Sequence, residues 1–189
     1  MVVGLGNPGE RYAKTRHNLG WMVLDELCAN SGARLRRQRF VGVEAAEANA
    51  DGVPLLLVRT ASAYMNDSGP SIASFARKRS VPPERIIAVH DELDLPFGAL
   101  RLKLGGSTAG HRGVDSLASA LRSKDFYRVR IGIGRPPGRQ DPADFVLEPF
   151  AAREREDAAV LVGDAADAVV ALATEGLHAA QARFNRAGF

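Results

Sequence analysis

A single cysteine, Cys28, excludes an internal disulfide and with it the stapled frameworks of small secreted domains. It follows the apolar run Trp21-Met22-Val23-Leu24-Asp25-Glu26-Leu27, which gives it a structural role and suits a reducing cytosol. Nowhere do eighteen apolar residues run together, so a membrane-spanning helix is not expected. The opening Met1-Val2-Val3-Gly4 has neither the basic segment nor the long apolar core of an export signal. A cytoplasmic location without membrane attachment is the expectation. The histidines His17, His90, His111 and His178 lack HExxH or similar ligand spacing, so a metal is not expected. An excess of one charge is also missing, since the net charge is only +3. Local clusters at Arg34, Arg36, Arg37 and Arg39, and at Arg77, Lys78 and Arg79, permit a nucleic-acid partner, but each alone reads as a solvated face.

No repeat period and no low-complexity linker divides the 189 residues, a length that suits one compact unit. Apolar runs bounded by turn residues predict strands at Met1 to Leu5, Val53 to Thr60, Ile86 to Asp91, Ala99 to Leu104 and Tyr127 to Gly132, with another at Gly42 to Ala50. Helical patterns fall at Leu19 to Ser31, Ser68 to Arg79, Gly113 to Leu121 and Arg153 to Thr174. The alternation predicts an α/β fold: a single domain with a mixed, mostly parallel twisted sheet flanked by helices. A hairpin near Pro54 argues against a purely parallel sheet. The segment 134–150, which opens Gly134-Arg135-Pro136-Pro137-Gly138-Arg139, is read as a mobile loop ahead of the C-terminal helix. Arg135 and Arg139 on it would suit closure over a polyanionic substrate.

His17 lies in the polar loop Tyr12-Ala13-Lys14-Thr15-Arg16-His17-Asn18, after a glycine turn and before a helix, where a histidine has no apolar face to fill. Two later segments hold suitable partners. Tyr64-Met65-Asn66 carries an amide, and His90-Asp91-Glu92-Leu93-Asp94 carries carboxylates at the end of an apolar strand, a common place for functional groups in α/β folds. A carboxylate there accepts a histidine Nδ1 proton and fixes the tautomer; Asp91, Glu92 and Asp94 all qualify on spacing. Together these segments point to a water-activating hydrolase. Gly4-Leu5-Gly6-Asn7-Pro8-Gly9 matches the dinucleotide pattern GxGxxG, but Glu10 to Asn18 is polar and lacks the helix that pattern requires. Without that template the turn presents Asn7 and admits close approach to the backbone. Asn66 competes between a helix-capping and a carbonyl-polarising role, with Asp67 or Ser68 free to cap instead. Gly105-Gly106-Ser107-Thr108-Ala109-Gly110-His111-Arg112-Gly113 fits neither the nucleophile elbow nor the P-loop, so a serine nucleophile is not expected.

Gly4 to Gly9, Thr15 to Asn18, Tyr64 to Gly69, His90 to Leu95, Gly105-Gly106 with Gly110-His111, and Arg128 to Gly134 resemble, in order, the motifs of the bacterial-type peptidyl-tRNA hydrolase family. The resemblance spans nearly the whole chain. It implies hydrolysis of the ester joining a peptide to the terminal ribose of tRNA, without a cofactor. By matching position it implies His17 as general base and Asp91 as its orienting partner. Asn7 and Asn66 are implied as amides holding the peptide and polarising its carbonyl, with Tyr12 and Tyr64 beside them in substrate binding. Lys103 and Arg130 would clamp the terminal phosphate of the acceptor stem. The implied partner is peptidyl-tRNA, through acceptor stem and peptide, with no obligate protein partner and a monomeric state.

Two positions depart from the pattern. Arg112 stands where the family usually has asparagine, replacing a group that donates and accepts hydrogen bonds with one that only donates. It is assigned to the substrate-binding set with an altered role, and a tRNA-binding paralogue with reduced or lost catalysis is the alternative reading. Ala61 stands where proline is common, removing a φ restraint ahead of Asn66.

Overall fold

The computed structural model describes residues 1–188. Its seven strands are β1 (Val2–Gly4), β2 (Arg36–Arg37), β3 (Val43–Ala50), β4 (Val53–Thr60), β5 (Ile87–Glu92), β6 (Leu100–Leu104) and β7 (Tyr127–Gly132). They form one sheet in the order β2-β3-β4-β1-β5-β7-β6. The core β4-β1-β5-β7 is parallel, and antiparallel pairs β2-β3, β3-β4 and β6-β7 flank it. All of β5 is buried, as expected of a central strand covered on both faces.

Among the described residues six α-helices cover the sheet: α1 (Leu19–Ser31), α2 (Ser68–Lys78), α3 (Arg112–Leu121), α4 (Pro142–Val146), α5 (Arg155–Thr174) and α6 (Leu177–Phe184). Successive strand residues alternate between two apolar layers. Val2, Leu57, Val89 and Val129 pack with Leu24 of α1 and Leu161 of α5. Val3, Val58 and Ala88 pack with Ile72 and Phe75 of α2 and Leu117 of α3.

The β3-β4 hairpin turns at Asp51-Gly52 with φ of 49° and 86°, the left-handed pair of a two-residue turn, and Pro54 lies inside β4. Gly20 fixes where α1 begins. A Cβ there would stand 2.3 Å from the Val89 carbonyl oxygen and 2.5 Å from that of Leu5, so only glycine lets α1 start against β1 and β5. That approach brings the preceding His17 turn to the C-terminal ends of the strands.

The expected strands and long helices appear with shifted ends, and the last long helix begins at Arg155 after a turn at Ala152–Glu154. Three short elements lacked a periodic signal or went unread. β2 is two exposed arginines, and in α6 only Ala180 is buried. The expected loop at 134–150 contains α4, whose start carries Asp141 as a cap, accepting from Ala143 N–H at 2.8 Å, with proline at the first helical position. Neither Asp67 nor Ser68 caps α2 through its side chain. The turn Met65–Asp67 runs straight into α2, so the Ser68 N–H already bonds Met65 O, and its hydroxyl donates to the same carbonyl at 2.8 Å.

Candidate active site

Two asparagines tie together the segments that build the cleft. Asn18, fully buried, accepts from the Asn7 N–H at 2.8 Å and donates to the Asn7 carbonyl at 2.9 Å. Asn7 in turn accepts the Met65 N–H on its side-chain oxygen at 2.9 Å. The strand exit, the His17 turn and the Tyr64-Met65-Asn66 turn are thereby held in one register. Asn7 is therefore no self-bonded turn residue; its side chain bridges to a distant loop.

His17 stands 15% exposed beside an Asp91 side chain that is 2% exposed. Its Nδ1 is 2.9 and 3.0 Å from the two Asp91 oxygens. Glu92 and Asp94, the rivals for this role, are engaged elsewhere: Glu92 with Arg130 at 2.9 and 3.0 Å, and Asp94 with Arg135. Arg135 is therefore paired next to the strand ends in this structure.

His111 takes a place that sequence spacing did not assign. Its Nδ1 accepts the Val114 N–H at 3.3 Å at the start of α3, and its Nε2 lies 3.0 Å from Asp91 Oδ1. An acceptor Nδ1 leaves the proton on Nε2, where it is donated to Asp91. Asp91 thus receives donors from two imidazoles. Burial alone would raise its carboxyl pKa, but the charges of His17 and His111 and their hydrogen bonds hold it far below the usual carboxylate range. Asp91 therefore stays ionised at every working pH.

The three side chains also bring possible ligand atoms within 4.8 Å of one another, a convergence that linear spacing could not reveal. The His17–Asp91 and His111–Asp91 approaches are those of direct hydrogen bonds.

Behind them, His90 donates from Nδ1 to the Asp91 carbonyl at 2.7 Å and sets its ring edge-on to His111, centroids 4.7 Å apart. Its Nε2 is buried without a hydrogen-bond partner. Burial first, and then the charge of His111, push the His90 pKa well below that of free imidazole. The folded chain keeps His90 neutral, while the unfolded chain binds a proton near pH 6.5. Stability is therefore complete above about pH 6.5 and lost below it, by up to about 1.4 kcal/mol per pH unit. Urea unfolding at pH 7.5, 6.5 and 5.5 is expected to show this slope in the native chain and a flatter one in His90→Gln. Equal slopes would remove His90 as the cause.

The cleft has a volume of about 380 Å³. Tyr12 and Tyr64 line it edge to face, ring centroids 6.3 Å apart, and Val146 with Leu147 of the α4 segment supplies apolar surface. Asn66 reaches the cleft from an exposed position and donates to Asp67 at 3.1 Å. Arg112, the first residue of α3, also lines it, exposed and without a carboxylate partner among the described residues. Among the described residues, no serine, threonine or cysteine lines this cleft.

Arg16, next to His17, is buried and donates to the Glu148 and Pro149 carbonyls, pairs with Glu154 at 2.8 Å and stacks on Phe145 and Phe150. It fastens the segment after α4 to the His17 turn. Lys103 and Arg130 lie outside the cleft lining, on β6 and β7, with Arg128 between them in the pairing register. Arg128 is buried and donates to the Ser107 and Gly106 carbonyls at 2.6 and 2.9 Å, pinning the loop that leads to His111. Burial, followed by the charges of Arg130 and Arg128, lowers the Lys103 ammonium pKa. His111, Asn18, Arg16 and Arg128 are the site-building residues that sequence reasoning left unassigned. Their sequence signal is membership of the quoted motifs, which by itself gives them no role.

The sheet, the cleft at its strand ends and the His17–Asp91 pair define an α/β protein with a histidine–carboxylate pair in its cleft. A family model described as peptidyl-tRNA hydrolase matches residues 1–188. The chain belongs to the peptidyl-tRNA hydrolase family. It is 56% identical to the peptidyl-tRNA hydrolase of Nocardia farcinica, over 96% of this chain and 93% of that one. Identity to the peptidyl-tRNA hydrolase of Mycolicibacterium smegmatis is 51%, over 96% and 94%. The crystal structure of peptidyl-tRNA hydrolase from Acinetobacter baumannii superposes with a TM-score of 0.90 at 32% identity, over 99% of this chain and 94% of that one. No helix among the described residues is long and apolar enough to cross a membrane.

Proposed function

We propose that this protein hydrolyses the ester between a peptide, or another N-blocked aminoacyl group, and the terminal ribose of tRNA, with His17 as general base. The observation that carries this reading is the His17–Asp91 pair: Nδ1 is committed to the carboxylate, which leaves Nε2 as the acceptor toward the cleft. Water loses a proton to Nε2 as its oxygen attacks the ester carbonyl carbon. The imidazolium, stabilised by Asp91, then returns that proton to the ribose oxygen as the carbon–oxygen bond breaks. The products are a free peptide acid and free tRNA. An oxyanion donor in such a step is worth about 3–4 kcal/mol, and Asn66 is assigned that role. Asn7 holds the peptide side of the cleft together with Tyr12 and Tyr64. No metal or cofactor takes part in this scheme.

Lys103 and Arg130 bind the terminal phosphate of the acceptor stem, the former being the less neutralised cation because Glu92 offsets Arg130. The protein acts as a monomer in the cytoplasm, a reading supported by the lone buried free cysteine. Catalytic amounts of the protein are expected to release the whole acyl group from N-acetyl-aminoacyl-tRNA. Retention of tRNA without release favours the paralogue reading instead.

Arg112 tunes this reaction. A guanidinium cannot accept a water proton, and its charge disfavours a protonated His17. Arg112→Asn is expected to raise kcat by about tenfold, the value of one restored hydrogen bond of about 1.4 kcal/mol. Unchanged turnover and unchanged substrate preference would contradict that role.

A further inference from the structure

A second cationic surface lies on the α2/α3 side of the sheet, apart from the cleft. A groove of about 650 Å³ runs between α2 and α3, lined by Ala73 and Arg77 on one side and Ser119 and Arg122 on the other. Beyond α2, Arg34 and Arg36 line a further depression together with Arg79 and Phe75. Arg34, Arg36, Arg77 and Arg122 are exposed, and none has a carboxylate partner among the described residues. Arg79 is paired with Glu47, and Asp115 of α3 is close enough to Arg128 to act on its charge. The basic clusters that looked like separate solvated faces in the sequence therefore meet on one surface.

Side chains alternate along β7, so Lys103, Arg128 and Arg130 lie on the sheet face of Phe126, the face that α2 and α3 cover, at the β6 edge, while Arg36 lies in β2 at the opposite edge. Lys103 pairs with Arg128, which pairs with Ala88, three residues before Asp91 in β5; at about 3.3 Å per residue Lys103 is displaced about 10 Å down the strands from the site, whereas Arg130 pairs with His90, next to Asp91. α3 starts at the cleft with Arg112 and descends about 15 Å over its ten residues, ending beside Arg122. The chain then enters β7 at Tyr127, which pairs with Ile87, so α3 runs in the same direction as that displacement. An RNA double helix that crosses this face from the clamp at the β6 edge toward β2 passes over α3 and the groove. Unneutralised guanidiniums around a groove with a hydroxyl at Ser119 suit phosphodiesters.

We propose that the α2/α3 groove and its continuation at Arg34 and Arg36 form a second RNA-backbone surface, holding the double-helical part of the tRNA whose 3′ end enters the cleft. This rests on the tRNA-ester reading above. The test uses the double variants Arg77→Gln/Arg122→Gln and Arg34→Gln/Arg36→Gln, with two substrates: full-length N-acetyl-aminoacyl-tRNA, and the same acyl group on a CCA trinucleotide. For full-length substrate each pair is expected to raise KM about tenfold with kcat within about twofold. The log-log salt slope of tRNA binding should fall by about 2, given about 0.9 for each phosphate contact. Trinucleotide hydrolysis should not change.

Full-length KM and salt slope equal to native would overturn the proposal, and so would equal losses on both substrates, which place the lesion in the cleft. If the native chain hydrolyses neither substrate, the ester reading fails. The salt slopes of native and variant proteins for uncharged tRNA then still decide the groove.

Discussion

His17→Ala is expected to lower kcat for N-acetyl-aminoacyl-tRNA by about 10²- to 10⁴-fold, the range associated with a positioned general base. Affinity for uncharged tRNA should stay within about twofold of native. His17 lies in the cleft with one nitrogen committed to Asp91, and no other imidazole of the cluster is free to replace it. His111 already uses both nitrogens, on Val114 and Asp91, and His90 is buried behind it. A loss of less than about fivefold would remove His17 from the proton-transfer step, because a base contributes at least about 10².

Asp91→Asn should rival that loss, at about 10³- to 10⁴-fold in kcat, by reversing a tautomer rather than removing a base. The carboxylate accepts from both His17 Nδ1 and His111 Nε2. An amide has one oxygen and one NH₂: with its oxygen at the Oδ1 place beside His111, its NH₂ takes the Oδ2 place and donates toward His17 Nδ1. His111 is locked as a donor by its Nδ1 contact with Val114, so the amide NH₂ faces His17. His17 then accepts at Nδ1 and carries its proton on Nε2, where it cannot take one from water. The melting temperature separates this effect from misfolding: a folded variant with low kcat and native tRNA affinity is the expected result, and near-native kcat contradicts the tautomer argument. Asp91 also ties stability to acid. Its folded-state pKa is depressed, so its contribution is complete above the unfolded carboxyl value of about 3.9 and is lost as pH falls below it. That window lies well below the one set by His90.

His17, Asp91, Asn7 and Asn66 were legible because their sequence setting is unusual for their chemistry: polar groups at strand exits and helix entries, where packing has no use for them. Asp91 could not be chosen over Glu92 and Asp94 from spacing alone. Strand alternation and the register of β5 against β7 decide it, directing Glu92 toward Arg130 and leaving Asp91 for His17. His111, Asn18 and Arg128 stayed hidden for a related reason. Each acts through a partner far along the chain, and that pairing exists only after β1, β5 and β7 are in register. The long elements followed from apolar periodicity, whereas β2 and α6 bury too little apolar surface to leave one. α4 did carry a readable sign in Asp141-Pro142, masked by the proline- and glycine-rich stretch before it.

The account rests on water being activated by His17 to cleave an acyl ester, and single-turnover hydrolysis in ¹⁸O-labelled water tests it most directly. With enzyme in excess over N-acetyl-aminoacyl-tRNA, the account predicts complete release of the N-acetyl amino acid with one labelled oxygen in its carboxyl group and none in the ribose. Bound tRNA with no acid released, or label on the ribose oxygen, would contradict it.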